Sequence, residues 1–280
     1  GKISMSLPST LTSNFSFDRI VWLNALAEHE YGPTRRMVED IEAAANRAGI
    51  LFREYRPQSG HELSSFLDAE RMAGGKPLIH LDSHGSETGI SIGDHHEDVS
   101  WKSVCAALRP INIGSNNQLL VVSNCCFGIF ASHFVSLTEP TPFLGFIGPV
   151  DIIRVGEFEH SLPAFYQSIL EQDDLLVGMK ELSKFDFWLA EQFLLTALVN
   201  YLKIEGSSSA KSQFVEELVS KAKATGKILL TERVTPYRKD FKRLLKEQLG
   251  PKFLEDRVQT FLLGNKPDFT YSDLLRFAQE

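Results

Sequence analysis

Two short motifs in this sequence carry side chains that can perform nucleophilic chemistry. The run KPLIHLDS leads into His84-Gly85, and the run QLLVVSN leads into Cys125-Cys126. A histidine within hydrogen-bond reach of a cysteine can take the thiol proton and leave a thiolate, which is the attacking form of cysteine. The pairing of these two residue types therefore predicts a site for nucleophilic catalysis by a thiol.

Both motifs stand at the C-terminal end of an apolar run that is typical of a short buried strand. Strand and helix signals alternate up to residue 170, an order that predicts a parallel sheet covered by helices on both faces. Strands are predicted at 19–26, 50–55, 77–82, 119–123 and 143–147, a hairpin at 89–99, and helices at 33–48, 62–72, 101–108, from the cysteines to 135, and at 157–170. Because open α/β sheets bind ligands beyond the carboxyl ends of their strands, we expect the two motifs to lie together there.

The pattern changes near residue 172, after which apolar residues recur at helical spacing. Helices are predicted at 175–182, 185–201, 211–224, 237–249, 252–263 and 271–279, with a turn at 206–209. The chain is therefore predicted to divide into a catalytic domain at 17–172 and a helical C-terminal region at 173–280.

The composition argues against several classes of partner. Of the 280 residues, 43% are hydrophobic and 23% are charged, and the net charge is −7. An acidic chain without a dense basic block is not expected to bind nucleic acid. No apolar run reaches the roughly 18 residues that a membrane span requires, and residues 6–15 are too polar for the core of a signal peptide. Three cysteines, two of them adjacent, form no disulfide framework, so we expect a cytoplasmic protein without membrane contact.

The two motifs also resemble those of a known group of enzymes. Ser83-His84-Gly85 resembles the Ser-His-Gly element of the caspase-like cysteine peptidases. The segment NCCFG at 124–128 is similar to the Gln-Ala-Cys-Arg-Gly pentapeptide of caspases, to the Asp-Cys-Cys-His-Ser-Gly run of metacaspases and to the Ser-Ala-Cys run of bacterial CHAT-type proteases. His84 and Cys126 are 42 positions apart, near the roughly 50 typical of caspases. The resemblance covers residues 17–170.

This resemblance implies a caspase-like three-layer α/β/α sandwich with a C-terminal helical extension. It implies a cysteine endopeptidase that cuts a protein or peptide substrate through a Cys–His dyad and an acyl-enzyme, without a cofactor. It further implies a regulated enzyme of a bacterial immune or cell-death system. The C-terminal helices would then offer a surface for a regulatory protein partner.

Cys126 is the predicted nucleophile, and Cys125 is the alternative. Counting from Cys126 gives the Cys-x-Gly spacing of caspases, whereas counting from Cys125 gives Cys-x-x-Gly. Neighbouring residues at a strand end point to opposite faces, so only one of the two can face His84. The backbone N–H of Gly85 is the predicted oxyanion donor, because glycine lets the backbone approach a substrate closely. The nucleophile's own N–H, at the start of a helix, is the predicted second donor and would favour the thiolate.

The residues around the motifs bear on the choice of substrate. Phe127 stands where caspases carry arginine, so a pocket for acidic side chains is not expected. Asn124 stands where metacaspases carry an acid that helps to bind basic side chains. Acids near other strand ends are Asp82, Asp94 and Asp151. We predict that Asp82, Asn124 and Asp151 bind substrate and that cleavage follows Arg or Lys.

Two other interpretations remain open. His80, Asp82 and His84 alternate along the sequence, so in a continuous strand they would share one face and could hold a metal for a metal-dependent hydrolase. A catalytically silent scaffold would instead keep the caspase-like fold and use its helices as a contact surface. The intact histidine and cysteine motifs favour the peptidase over both.

Overall fold

The computed structural model describes residues 15–172, 174–206 and 250–279, together with positions 216, 219–220, 235–236 and 238–239. The helices predicted at 211–224 and 237–249, and the turn predicted at 206–209, lie for the most part outside the described residues. Within the described ranges, no helix combines the length and the apolar character needed to cross a bilayer.

A six-stranded sheet forms the middle of the molecule. In spatial order it consists of β2 (Leu51–Tyr55), β1 (Arg19–Asn24), β3 (Pro77–Asp82), β7 (Leu120–Ser123), β8 (Gly145–Pro149) and β9 (Phe185–Leu189). The first five strands are parallel, and β9 is antiparallel to β8. Strands β1, β3, β7 and β8 are buried along their whole length, which explains their unbroken apolar runs. The predicted α/β class with a mostly parallel sheet is confirmed.

Helices cover both faces of this sheet. The first face packs against α1 (Tyr31–Arg47), α4 (Val155–Phe158), α5 (Ser161–Gln172) and α6 (Leu175–Met179). The second face packs against α2 (Gly60–Ala73), α3 (Trp101–Gly114), α7 (Ala190–Gly206), α8 (Pro251–Phe261) and α9 (Tyr271–Gln279). Each layer buries its own apolar core against the sheet, an arrangement consistent with a three-layer α/β/α sandwich.

A small antiparallel sheet continues the chain directly after β3. It consists of β4 (His84–Gly85), β5 (Gly89–Ile92) and β6 (Glu97–Ser100). Ile90 and Ile92 of β5 belong to the core of the second face, which anchors the small sheet on the larger one. The hairpin predicted at 89–99 is therefore present, and its sheet includes the predicted histidine.

The helix predicted at 185–201 is wrong in its first five residues, because Phe185–Leu189 is strand β9 and the helix starts at Ala190. Phe187 packs against the core of the first face and Trp188 against that of the second, an alternation of period two that belongs to a strand. Helices α7, α8 and α9 also contribute to the core of the second face. Elements on both sides of the predicted boundary at 172 thus share one sheet and one core.

Candidate active site

The two motifs of the sequence meet at Gly85. Strands β3 and β7 are neighbours, with Leu81 opposite Ser123, so the segments that follow them leave the sheet side by side. A Cβ placed on Gly85 would collide with the carbonyl oxygen of Cys126 and lie 2.8 Å from the Cβ of Cys125. Only glycine fits this contact, which brings the histidine motif against the Cys126 backbone and the Cys125 Cβ.

The two cysteine side chains point into opposite layers of the sandwich. Cys125 is 0% exposed within the core of the second face, and its thiol donates to the Leu81 carbonyl at 3.5 Å. Burial raises the pKa of the Cys125 thiol to about 12, which disfavours its thiolate at neutral pH. Cys126 is partly exposed, packs beside the core of the first face, and accepts the N–H of Ile153 on its sulfur at 3.4 Å. Cys126 therefore carries the thiol that a reagent can reach.

The turn after Cys126 is left-handed at Phe127, whose φ is 56°. Residues other than glycine rarely adopt this backbone conformation, and those that do are found disproportionately at functional sites. A short 3₁₀ helix, Gly128–Phe134, follows the turn. The helix predicted from the cysteines to 135 is therefore present as this 3₁₀ helix, which begins two residues after Cys126 because Phe127 takes a left-handed turn. The helix N-terminus that we expected to favour the thiolate is replaced by this tight turn.

His84 is placed at the exposed edge of the small sheet, and its side chain is 53% exposed. Its Nε2 lies 2.8 Å from Oε1 of Glu30, in the 3₁₀ turn Glu28–Glu30 that precedes α1. Burial opposes ionisation of Glu30, but hydrogen bonds from the His84 ring and the Ala27 N–H outweigh it, so the net pKa of Glu30 is lowered. Sequence reasoning missed Glu30. The sequence signal is an acid in the loop after β1, but the position of that loop beside β3 is decided by the order of the strands in the sheet.

Two of the predicted substrate-binding residues are buried beneath the site. Asp82 is 3% exposed, and its Oδ1 accepts the amide of Asn124 at 2.9 Å. Burial raises the pKa of Asp82 to about 6, with the Asn124 hydrogen bond opposing this shift. Because both side chains face the interior and bond each other, they brace the ends of β3 and β7 and lie below any surface that a substrate could contact.

His80 lies deeper in the same layer. Its ring stacks on Trp22 with centroids 3.5 Å apart, and its Nδ1 lies 2.8 Å from the hydroxyl of Tyr166. Burial lowers the pKa of His80 to about 3, so the ring is neutral at physiological pH. Strand β3 ends at Asp82, and His84 does not continue its face. The proposed metal trio of His80, Asp82 and His84 is thus split, and no group of three or more His, Cys, Asp or Glu in the described part of the chain is arranged to hold a metal.

The other two predicted acids are exposed on loops near the site. Asp151 follows β8, and its carbonyl accepts the N–H of Phe127 at 3.2 Å. Its carboxylate accepts the N–H of Ile152 at 2.7 Å, so it lies beside the turn that carries Cys126. Asp94 accepts the backbone N–H of Glu28 at 2.8 Å, which ties the β1–α1 loop to the small sheet. Of the predicted acids, Asp151 is therefore the one whose loop contacts the turn that follows Cys126.

A groove of about 440 Å³ opens at the carboxyl ends of β1 and β2, next to Glu30. Its walls carry four glutamates and two arginines, which are Glu28, Glu39, Glu42, Glu54, Arg35 and Arg56. Arg56 is bound by both carboxylate oxygens of Glu54 at 2.9 and 3.0 Å. Carboxylates outnumber guanidinium groups in the groove, so its charge favours a cationic guest.

The buried side chains of His80 and Asp82 should change the free energy of unfolding in opposite directions as the pH falls. As pH falls from 6.5 towards 3, the unfolded chain protonates His80 but the folded chain does not, so His80 lowers stability. Between pH 6 and 3.8 the folded chain protonates Asp82 first, so Asp82 raises stability as pH falls. Asp82→Asn should therefore lose roughly 2 kcal/mol more than the wild type between pH 7 and 4, measured by urea unfolding. His80→Phe should instead lose less stability than the wild type, and parallel curves for all three proteins would contradict these shifts.

A scan against models of protein families and a search of characterised proteins found no match to this chain. The chemistry open to the site therefore follows from its geometry. That geometry consists of a reachable thiol just after β7, an imidazole in β4 just after β3, and Gly85, which follows the histidine and packs against Cys126.

Proposed function

We propose that this chain is a caspase-like cysteine endopeptidase in which Cys126 is the nucleophile and His84 is the proton-transfer group. The observation that carries the proposal is the packing of Gly85 against the Cys126 backbone, which brings the segment that contains His84 into contact with the residue that carries the reachable thiol. The buried Cys125, held against Leu81, supports Cys126 as the attacking residue. A scaffold without activity would have no need for this arrangement.

The reaction follows from the properties of these two groups. Transfer of the Cys126 proton to His84 produces the thiolate, which attacks the carbonyl carbon of the scissile peptide bond. The C–N bond then breaks as His84 gives its proton to the departing amine, and an acyl-enzyme remains on Cys126. Water adds to the acyl carbon, His84 takes a proton from that water, and the released thiolate regains a proton.

The backbone N–H groups of Gly85 and Cys126 are the proposed oxyanion donors. They belong to two segments in van der Waals contact, because Gly85 has no side chain to separate them. Two donors from adjacent strand ends can stabilise the charge that develops on the substrate carbonyl oxygen. A side chain at position 85 would push these segments apart, so this part of the proposal depends on glycine.

The proposed substrates carry Arg or Lys before the scissile bond. The glutamate-rich groove beyond β1 and β2 supports this preference, because its lining includes Glu28 and Tyr31, which lie on either side of the His84 partner Glu30 in the sequence. Asp151, beside the turn at Phe127, adds a further exposed carboxylate near the thiol. Carboxylates within about 4–6 Å of a bound guanidinium or ammonium group attract its positive charge.

A panel of fluorogenic peptides that differ only in the residue before the scissile bond tests both the activity and this preference. We expect cleavage after Arg or Lys, with kcat/KM at least about tenfold above that for Asp or neutral residues, since roughly 1.4 kcal/mol of differential binding suffices. Glu42→Lys should reduce this preference by reversing one charge of the groove. Cleavage confined to peptides with Asp would contradict the basic preference, and no cleavage of any peptide would contradict the peptidase.

A further inference from the structure

The hydrogen bond between His84 and Glu30 defines which nitrogen of the imidazole is available for chemistry. Nε2 of His84 lies 2.8 Å from Oε1 of Glu30. An ionised carboxylate only accepts hydrogen bonds, so Nε2 must carry the proton in this contact. In the neutral ring the lone pair then resides on Nδ1, and Nδ1 is the atom that can take a proton from a thiol.

Glu30 is itself held in position by the backbone around it. Its second carboxylate oxygen, Oε2, accepts the N–H of Ala27 at 3.1 Å. The same loop is tied to the elements that carry His84, because Ala25 donates to the carbonyl of Asp82 at 2.7 Å and accepts the N–H of Gly93 at 2.8 Å. Backbone hydrogen bonds thus link the loop that carries Glu30 to the strands on either side of His84. The Glu30 side chain is only 27% exposed.

We propose that Glu30 is a positioning residue that completes a Cys126–His84–Glu30 triad, with the Glu30 carboxylate binding Nε2 and leaving Nδ1 for the thiol. This role rests on the proposed function of Cys126 and His84. The lowered pKa of Glu30 agrees with it, because burial alone would raise that pKa and the hydrogen bonds from the His84 ring and the Ala27 N–H reverse the shift. A fixed carboxylate also stabilises the imidazolium that forms when the thiol gives up its proton.

The same contact has one competing explanation, which predicts the opposite result. Glu30 could act as a latch that holds the imidazole away from the thiol in a resting enzyme. Removal of a positioning carboxylate slows the reaction, whereas removal of a latch accelerates it. The sign of the change in activity therefore separates the two.

The test compares Glu30→Gln and Glu30→Asp in the full-length protein. In Glu30→Gln the amide can donate to Nε2 and so permits the wrong tautomer, and we expect kcat to fall about 10- to 100-fold with KM little changed. Glu30→Asp keeps the charge and should recover part of the loss. Glu159→Gln is the matched control, because Glu159 pairs with another exposed histidine, His160, at 3.8 Å and should leave kcat unchanged.

A second measurement needs no peptide substrate. The rate of Cys126 alkylation by iodoacetamide reports the thiolate population, so we expect the ratio of rates at pH 6 and pH 9 to fall in Glu30→Gln and to stay at the wild-type value in Glu159→Gln. An unchanged ratio together with unchanged kcat, or a rise in kcat, would overturn the triad. If the wild-type protein cleaves no peptide, the proposed function fails on its own, while the alkylation ratio still decides whether Glu30 acts on the His84–Cys126 pair.

Discussion

Cys126→Ala is expected to lose peptide cleavage while keeping its fold. The substitution removes the only thiol of the pair that a reagent can reach, and without it no acyl-enzyme can form. Loss of a nucleophile costs roughly 10³-fold or more in kcat, so residual cleavage should fall below detection in the peptide assay. The side chain is only partly buried, so the thermal midpoint should change little. Initial rates and thermal unfolding of the purified variant measure both expectations.

Cys125→Ala is the matched control, because it makes the same chemical change one residue away. Cys125 is 0% exposed, so its truncation leaves a small cavity that should lower stability by about 1–2 kcal/mol. Most of the activity should remain. Iodoacetamide should label Cys126 in the folded protein and reach Cys125 only after unfolding. Inactivation and labelling that follow Cys125 would move the nucleophile by one residue.

The elements that carry the two motifs could be predicted because their signals are local. The strand predicted at 77–82 is β3 to the residue, and the strand predicted at 119–123 differs from β7 by one position. Both are runs of apolar residues bounded by polar ones, which is what a buried parallel strand requires. Because parallel strands all end at the same edge of a sheet, the presence of the two motifs at one edge could be expected as well.

Strand β9 could not be predicted because its partner is distant in the sequence. The segment Phe185–Leu189 consists largely of aromatic and apolar residues, and such a run fits a helix as well as a strand. Its identity is decided by antiparallel pairing with β8, in which Phe187 lies opposite Ile147. Pairing of this kind depends on tertiary context, which a short window of sequence does not contain.

The role of Glu30 and the burial of Asp82 could not be predicted for the same reason, because both depend on tertiary contacts. The bond from Glu30 to His84 spans 54 residues and exists because β1 lies next to β3 in the sheet. The chain order of the strands does not reveal this neighbourhood. Asp82 was placed near the correct strand end, but its burial depends on the direction in which the last residue of β3 points. One residue of shift in the strand would turn the same carboxylate towards the opposite face of the sheet.

His84→Ala is expected to cause a second large loss of kcat. Together with a chelator, this variant should distinguish a thiol mechanism from a metal-dependent one. His84→Ala removes the group that takes and returns the proton, so kcat should fall by roughly 10³-fold or more. The side chain is half exposed, and the fold should tolerate its removal. His95→Ala, which removes an exposed histidine from the β5–β6 turn, should keep wild-type rates.

The same preparations should be assayed with a chelator. A thiolate–imidazole pair needs no metal, so EDTA should leave wild-type cleavage unchanged, and added zinc should not restore His84→Ala. Activity that EDTA abolishes and zinc restores would favour a metal-dependent hydrolase, even though the structure buries His80 and Asp82 away from His84. Full activity in His84→Ala would remove the imidazole from the mechanism. Cys126 would then need another proton acceptor, and the adjacent Asp151, beside the turn at Phe127, would be the next residue to replace.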